Sequence, residues 1–324
     1  MSKKWLLLFP SAFLFAQPAM AVSNSFTAEL DNNVNDALSS VLSSSGSDIF
    51  LMVSALATFI FFICVVKEIS MFVMGRLDVV SLLTTVILYV ATIAFIGGYG
   101  TFTNVIKGGF NELADVYQNL VIGSSDKMYL SNFIDNVINK AIQAPDVGFT
   151  DTIFMWVVTF IWSIVSLFLQ IAFYLADVYV TLGYALARLV GVIFIPFLIA
   201  GWTRPIFDGW VKFFIGWGVC GLLLRLSCIL SMIVMKSAIN AAGHLGNPGV
   251  AYISSGYDVT APLVISEDNV STLIAIIVFS IISCVMIFSS FSFAKMLCSG
   301  VGSASNAATG AAKNIAVKAA AALL

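Results

Sequence analysis

Charged side chains are scarce in this sequence of 324 residues. Asp, Glu, Lys and Arg make up 10% of it, whereas hydrophobic residues make up 60% and the mean hydropathy is +1.01. A soluble domain carries about 25% charged residues, so these few charges could not coat a globule of this size. The scarcity excludes a soluble α/β enzyme, a coiled coil and a disordered chain, and the net charge of −2 gives no sign of a nucleic-acid-binding surface. We therefore predict an integral membrane protein.

Residues that carry catalysis are scarce as well. The single histidine, His244, lies in a stretch rich in Gly, Ala and Asn, where a plain turn is the expected explanation. The sequence contains no GxxxxGK[ST] phosphate loop and no HExxH or GxSxG motif. Its five cysteines lie within or beside apolar runs, without CxxC or metal-site spacing. We predict no catalytic residue, no metal and no cofactor, and hence a protein that is not an enzyme.

Residues 1–21 have the pattern of a secretory signal peptide. Lys3 and Lys4 precede an apolar core, and Ala19 and Ala21 form the small-x-small cleavage pattern. The alternative is an uncleaved first helix, but the apolar run is shorter than the roughly 20 residues that cross a bilayer. We predict cleavage after Ala21, so that the mature chain begins in a bacterial-type periplasm.

Five apolar runs follow, at Ile49–Val66, Val79–Gly98, Thr152–Ala200, Val211–Met235 and Ser271–Ala294. Four of them have the length of one helical crossing. The run 152–200 is long enough for two crossings, or for one long helix with an excursion.

Basic residues decide between these alternatives, because Lys and Arg are retained in cytoplasmic loops. If the run 152–200 crosses an odd number of times, segments 67–78, 201–212 and 295–324 share one side and hold seven Lys or Arg against three acids. Segments 22–48, 99–151 and 236–270 then share the other side, with four Lys and thirteen acids. We predict five crossings in the inner membrane, with the N-terminus periplasmic and the C-terminus cytoplasmic.

The predicted fold is therefore all-α, with about five transmembrane helices and additional periplasmic amphipathic helices. The predicted order is a signal peptide (1–21), a periplasmic amphipathic segment (22–48), two transmembrane helices (49–98), a large periplasmic loop (99–151), a central transmembrane core (152–235), a second periplasmic loop (236–270), a last transmembrane helix (271–294) and a cytoplasmic tail (295–324).

Helical spacing of apolar residues predicts amphipathic helices in the periplasmic segments. One includes Val34 and Leu38, a second lies within 110–121 and a third within 133–142. Their apolar faces must be buried in the membrane interface, against the protein itself or against a partner. The sequence leaves self-packing and partner contact open.

Polar side chains inside the apolar runs are candidate functional residues, because ionisable groups in a membrane are costly. Six of them lie at steps of three and four and so share one stripe of a helix: Gln170, Tyr174, Asp177, Thr181, Tyr184 and Arg188. The stripe would line a polar conduit or a subunit seam. The alternative is that Asp177 and Arg188 lie at a membrane boundary and extend into the headgroups.

Arg225 lies in the middle of the run 211–235, where an arginine cannot readily reach water. Asp177 is the only acid inside the apolar runs, so it is the natural partner. We expect Arg225→Leu to insert normally but to abolish assembly or transport.

The stretch 194–210 reads FIPFLIAGWTRPIFDGW and is followed by another apolar helix. This order resembles the core of the TrbL family, the inner-membrane subunits of type IV secretion and conjugation systems that include the sixth VirB component. Trp202 and Trp210 bracket the turn, and Arg204 lies on its predicted cytoplasmic side, which suits all three as membrane-interface anchors. Generic anchoring alone explains these three residues about equally well.

The resemblance implies several copies in the inner membrane, beneath a periplasmic stalk and core complex. The protein would contribute to the translocation channel for protein or single-stranded DNA and to pilus assembly, with cytoplasmic ATPases as the energy source. Two alternatives stay open: a stand-alone transporter for a small solute, and a structural assembly factor without a pore role.

Overall fold

The computed structural model describes residues 23–43, 48–75, 78–124, 152–246 and 270–299, residues 129, 133, 137, 140–143, 252–254 and 257–264, and a few positions between 310 and 321. The signal-peptide residues Ala19 and Ala21 lie outside the described residues.

The protein is all-α, as predicted. Six helices are described: α1 (Ser23–Ser43), α2 (Asp48–Val73), α3 (Val79–Ile122), α4 (Thr152–Phe194), α5 (Arg204–Gly246) and α6 (Val270–Ser299). A 3₁₀ turn (Ile195–Leu198) follows α4, and two short strands, β1 (Ile142–Gln143) and β2 (Leu263–Val264), form a small parallel pair. Among the described residues, five helices, all but α1, are long and apolar enough to cross a membrane.

Helix α3 is more than twice as long as a crossing requires. Asp78 starts it, because its Oδ1 accepts a hydrogen bond from the backbone N–H of Ser81 at 3.1 Å. The helix contains no proline and runs on through Gly97 and Gly98 for 44 residues, about 66 Å. A hydrocarbon core is about 30 Å thick, so the first part of the predicted loop 99–151 is instead a continuation of this helix.

Most of the apolar run 152–200, which the sequence left open as two crossings or one long helix, lies in helix α4. The run forms one continuous helix of 43 residues, not two. Pro196 then lies in the 3₁₀ turn, because proline lacks the N–H that an α-helix needs and its ring crowds the preceding turn.

The described chain divides into two compact units. The first, here the 34–112 unit, comprises Val34–Glu112, Val180–Leu222 and Ser292–Leu324. Its core includes Ile60, Tyr99, Ile195 and Phe214. Leu38 and Leu42 of α1 are buried in the same core, so the described apolar face of this amphipathic helix packs against its own chain.

The second unit, here the 113–179 unit, comprises Met1–Asn33, Leu113–Tyr179 and Leu223–Phe291. In it, two segments predicted as separate periplasmic loops contact each other. Ile142 pairs with Leu263, and the N–H of Leu263 donates to the carbonyl of Ala141 at 2.7 Å. Two segments that hydrogen-bond to each other lie on the same side of a membrane, so the chain between them crosses an even number of times.

This pairing predicts a cross-link. We expect Ile142→Cys combined with Leu263→Cys to form a disulfide in an otherwise cysteine-free chain, because paired strand residues lie within disulfide reach. Gel mobility with and without reductant measures it. The two single variants, Ile142→Cys and Leu263→Cys, are the controls and should show no change in mobility with reductant, and a double variant that stays reduced under oxidising conditions would contradict the pairing.

Candidate functional site

A cluster of polar side chains is buried inside the 34–112 unit, where three long helices meet. It consists of Tyr99 and Thr103 from α3, Tyr184 and Arg188 from α4, and Trp210 from α5, and is called the Arg188 cluster below. None of the five is more than 4% exposed. Because Tyr99 and Thr103, like Tyr184 and Arg188, are four residues apart, each pair lies on one helical face.

Hydrogen bonds in both directions join α3 to α4 within this cluster. The Tyr99 hydroxyl donates to the carbonyl of Arg188 at 2.7 Å, and the Tyr184 hydroxyl donates to the carbonyl of Thr103 at 3.0 Å. Arg188 Nε donates to Thr103 Oγ1 at 3.1 Å. These bonds satisfy polar groups that would otherwise be costly to bury in a low-dielectric interior.

Gly191 allows α3, α4 and α5 to approach one another closely. The Trp210 indole N–H of α5 donates to the carbonyl of Ala187 in α4 at 2.9 Å. The next carbonyl along α4, that of Arg188, accepts the hydrogen bond from Tyr99. A Cβ built on Gly191 would overlap both the Tyr99 hydroxyl and the Trp210 indole. Only glycine therefore fits here without displacing one of the two donors.

The Arg188 cluster carries an excess of positive charge. Arg188 has no carboxylate partner among the described residues and is held by hydroxyl and aromatic groups. Lys107 lies near it, with Nζ 5.7 Å from the centre of the Tyr184 ring and 2.8 Å from Asn35 Oδ1. The aromatic ring and the amide oxygen are two of the groups that stabilise the Lys107 ammonium.

Arg225 belongs to a separate arrangement in the 113–179 unit. Its Nη2 lies 2.5 Å from Asp115 Oδ1, and its Nε and Nη2 donate to Gln118 Oε1 at 2.9 and 2.5 Å. Asp115 and Gln118 are three residues apart on α3 and face α5 together. The guanidinium thus binds one charged and one neutral acceptor with its planar set of donors.

The expected pairing of Arg225 with Asp177 is therefore corrected: the described partner is Asp115. The reason is the length of α3, which carries an acid from a segment predicted as loop into contact with α5. Asp177 lies in α4, but its side chain is outside the described residues.

The other described side chains of the predicted polar stripe are less buried. Gln170, Tyr174 and Thr181 are half-buried in α4, and only Tyr184 and Arg188 join the Arg188 cluster. These two therefore face the interior of a single subunit.

The turn between α4 and α5 holds the three predicted anchors in different environments. Trp202 is 57% exposed, whereas Trp210 is buried in the Arg188 cluster. Arg204 is half-buried, and its Nε donates to the carbonyl of Leu198 at 3.1 Å. Of the two tryptophans, only Trp202 is placed to contact lipid.

The connecting loops of the 113–179 unit form a small aromatic cluster around Tyr257. Lys236 Nζ lies 4.1 Å from the centre of the Tyr257 ring, and Tyr129 and Phe133 contact the same ring edge-on. Tyr257 has a φ of 63°, which is strained for a residue with a side chain. Burial raises the pKa of the Tyr257 and Tyr129 hydroxyls, so both stay protonated at neutral pH.

Within the described residues, no group of three His, Cys, Asp or Glu side chains is arranged to hold a metal ion. The polar groups of both arginine arrangements are bound to one another, which suits them to holding helices together.

Comparison with known protein families identifies the family of this chain. The family described as TrbL/VirB6 plasmid conjugal transfer protein matches residues 69–266. The chain belongs to this family. It is accordingly a multi-pass membrane component of conjugal transfer and type IV secretion, associated with the other components of such a system. The matched segment contains α3, α4 and α5 and most of both arginine arrangements. No curated protein matches the chain.

Four residues that bind the arginines of this TrbL/VirB6 protein were missed from the sequence: Tyr99, Thr103, Asp115 and Gln118. All four lie in the segment assigned to a loop. One signal could have found them, because no proline occurs between Val79 and Ala144 and the helical spacing at 110–121 continues from the apolar run.

Gly191→Ala tests the Arg188 cluster. The added methyl group must displace Tyr99 or Trp210, and overpacking of this kind costs about 1–3 kcal/mol. Unfolding in detergent by SDS titration, followed by circular dichroism, measures the loss. Gly98→Ala is the matched control, because nothing lies within 4 Å of a Cβ there. Equal stability of the two variants would contradict the proposed close contact.

Asp115→Asn tests the partner of Arg225. We expect a loss of about 1.5–3 kcal/mol, because hydrogen bonds to charged groups contribute roughly that much. A double-mutant cycle with Arg225→Leu should show that the two losses are not additive. Asp177→Asn is the control, and coupling of Arg225 to Asp177 but not to Asp115 would restore the original assignment.

Proposed function

We propose that this protein is an inner-membrane subunit of a type IV secretion system that contributes to the translocation channel and to assembly of the pilus or stalk. Several copies would surround the path of the exported protein or single-stranded DNA. The N-terminus would be periplasmic and the C-terminus cytoplasmic, as the distribution of Lys and Arg predicts. Separate cytoplasmic ATPases would supply the energy.

One observation carries the assembly part of the proposal: the second half of α3 buries polar side chains that bind Arg225, whereas large apolar side chains of the same segment are exposed. Gln118 is 3% exposed and binds Arg225, whereas Val116 is 54% and Leu120 is 78% exposed. A helix in water has the opposite arrangement.

The outward side chains form a continuous strip, called the α3 apolar face below. Its members are Leu113, Val116 and Leu120, all within the 113–179 unit. They recur at helical spacing in the part of α3 that follows the crossing-length run Val79–Gly98. Because an apolar strip outside the hydrocarbon has to be covered, the proposal assigns this face to contact with other subunits of the secretion system, including further copies of the chain.

The channel part of the proposal requires contact between copies. Both arginine arrangements are internal to the described subunit, so they would hold its helices in place while the conduit forms between copies. The crossing helices expose large apolar side chains such as Phe62 in α2, Phe168 in α4 and Val285 in α6. Surfaces of this kind suit burial in lipid and contact with neighbouring subunits.

Photo-crosslinking tests the assembly role. A photoreactive amino acid at Val116 or Leu120 should cross-link to another secretion subunit in cells that contain the complete apparatus. The same probe at Phe72, which is exposed at the opposite end of the α2–α3 hairpin, is the control. Cross-links at 116 and 120 that persist unchanged without the other subunits would leave only contact between copies.

A matched pair of variants measures the effect on transfer. Leu120→Lys should lower conjugation at least tenfold at a normal protein level, because it places a charge in the α3 apolar face. Asn104→Lys, at an exposed polar position of the same helix, should transfer normally. Cross-linking of transferring DNA to the chain would support the channel role, and pilus loss without any substrate contact would reduce the function to scaffolding.

A further inference from the structure

We propose that Tyr257 is a strained conformational latch: contacts of its ring hold segment 129–143 against segment 252–264 and α5, whereas its own backbone favours release. The inference goes beyond the proposed function and does not depend on it. It uses contacts within the 113–179 unit alone.

Segment 252–264 begins with an antiparallel pairing that is attached to α5. Ile253 and Val259 form the bridge of this pairing. The side-chain amide of Asn240, in α5, accepts a hydrogen bond from the N–H of Ile253 at 2.7 Å and donates to its carbonyl at 3.0 Å. These two bonds imitate a strand partner, so the hairpin stays on α5 whether the latch is closed or open.

Tyr257 occupies a position in this hairpin where glycine is the usual residue. The N–H of Tyr257 donates to the carbonyl of Ser254 at 3.1 Å, and the N–H of Ser254 donates to the carbonyl of Asp258 at 2.9 Å. Two residues of one strand thus face one residue of the other, as in a β-bulge whose first residue is left-handed. The φ of Tyr257 is 63°, a value that glycine adopts freely and that a side chain disfavours.

A second unfavourable feature lies beside the first. The Tyr129 hydroxyl oxygen is buried, and no described residue forms a hydrogen bond with it. A buried polar group without a partner destabilises the arrangement that buries it. Strain at two neighbouring residues persists only where other contacts hold both of them in place.

The ring of Tyr257 makes those contacts. Lys236 Nζ lies 4.1 Å from the ring centre, and the rings of Tyr129 and Phe133 meet it edge-on, with centres 5.7 and 5.9 Å away. A cation over the face and a neighbouring ring edge-on are both favoured by the charge distribution of an aromatic ring. One side chain thus joins α5 to two segments that are distant in sequence.

Opening of the latch would release segment 129–143 from the hairpin. Rotation of Tyr257 out of the cluster relieves its backbone and lets water reach the Tyr129 hydroxyl. The strands β1 and β2 join the same two segments, but each is two residues long, and a pair this short is marginal without packing beside it. The latch therefore decides whether two segments predicted as periplasmic move together or apart.

Hydrogen exchange in the full-length chain in detergent, resolved to single amides by mass spectrometry, tests the latch. Tyr257→Gly relieves the strain and removes the ring. We expect exchange at the Leu263 N–H, which binds Ala141, to rise at least tenfold, whereas the Thr260 N–H, which binds the carbonyl of Tyr252 at 2.9 Å, should stay protected. Tyr257→Phe is the matched control: it keeps the ring and should exchange like the parent chain.

Equal protection of Leu263 in the Tyr257→Gly and parent chains would overturn the proposal. A Tyr257→Phe chain that exchanges as fast as Tyr257→Gly would overturn it as well, and so would loss of protection at Thr260, because the hairpin itself would then depend on Tyr257. If the glycine variant is not recovered, Tyr257→Asn replaces it, since asparagine also adopts the left-handed region.

Two further variants separate the latch from ordinary packing. Tyr129→Phe keeps the ring and removes the buried hydroxyl, so exchange at Leu263 should fall severalfold, and an unchanged or higher rate would contradict the assignment of strain. Lys236→Met keeps the length of the side chain and removes the charge, so exchange should rise severalfold. Lys212→Met, at an exposed position of α5, should leave it unchanged. No rise with Lys236→Met would refute the role of the ammonium group.

Discussion

A polar group inside the hydrocarbon of a bilayer has no water to bind, so each must find its partner within the protein. The Arg188 cluster shows how this constraint arranges the 34–112 unit. Tyr99 from α3 and Trp210 from α5 both donate to backbone carbonyls of α4, while Arg188 returns a bond to Thr103. The partners of the costliest group in the unit thus come from neighbouring helices, and satisfying it fixes how those helices meet.

Close packing of aromatic side chains against glycines is a second consequence of folding in a bilayer. Lipid tails are as apolar as leucine, so helices in a membrane gain little from hydrophobic burial against each other and depend on close contact and hydrogen bonds. Trp217 occupies the space beside Gly183, and Phe110 the space beside Gly218, as Tyr99 and Trp210 do at Gly191. Aromatic rings seated against glycines let the helix backbones of this unit approach while the rings fill the interface.

The 113–179 unit likewise pairs its buried arginine with side chains of a neighbouring helix. Arg225 binds Asp115 and Gln118 of α3, whereas Val116 and Leu120 of the same helix are exposed. A subunit of the TrbL/VirB6 family works among other components, and an apolar strip that is exposed among the described residues is a feature that such an arrangement can use.

The sequence by itself determined the class of protein, the all-α fold, the candidate spans and the family, because composition, apolar run length and the 194–210 stretch are local properties that need no knowledge of packing. It also singled out Arg188 and Arg225, since a charge within an apolar run is visible without a fold. It could not name their partners. Thr103 and Asp115 lie 85 and 110 residues away from the arginines they bind, in a segment whose polar composition predicts a loop. Only the tertiary structure decided that α3 continues through this segment, because a helix of mixed composition is stabilised by what packs against it. The register between α3 and α5 likewise arises from side-chain contacts such as Phe95 with Phe207, which leave no periodic signal in the chain.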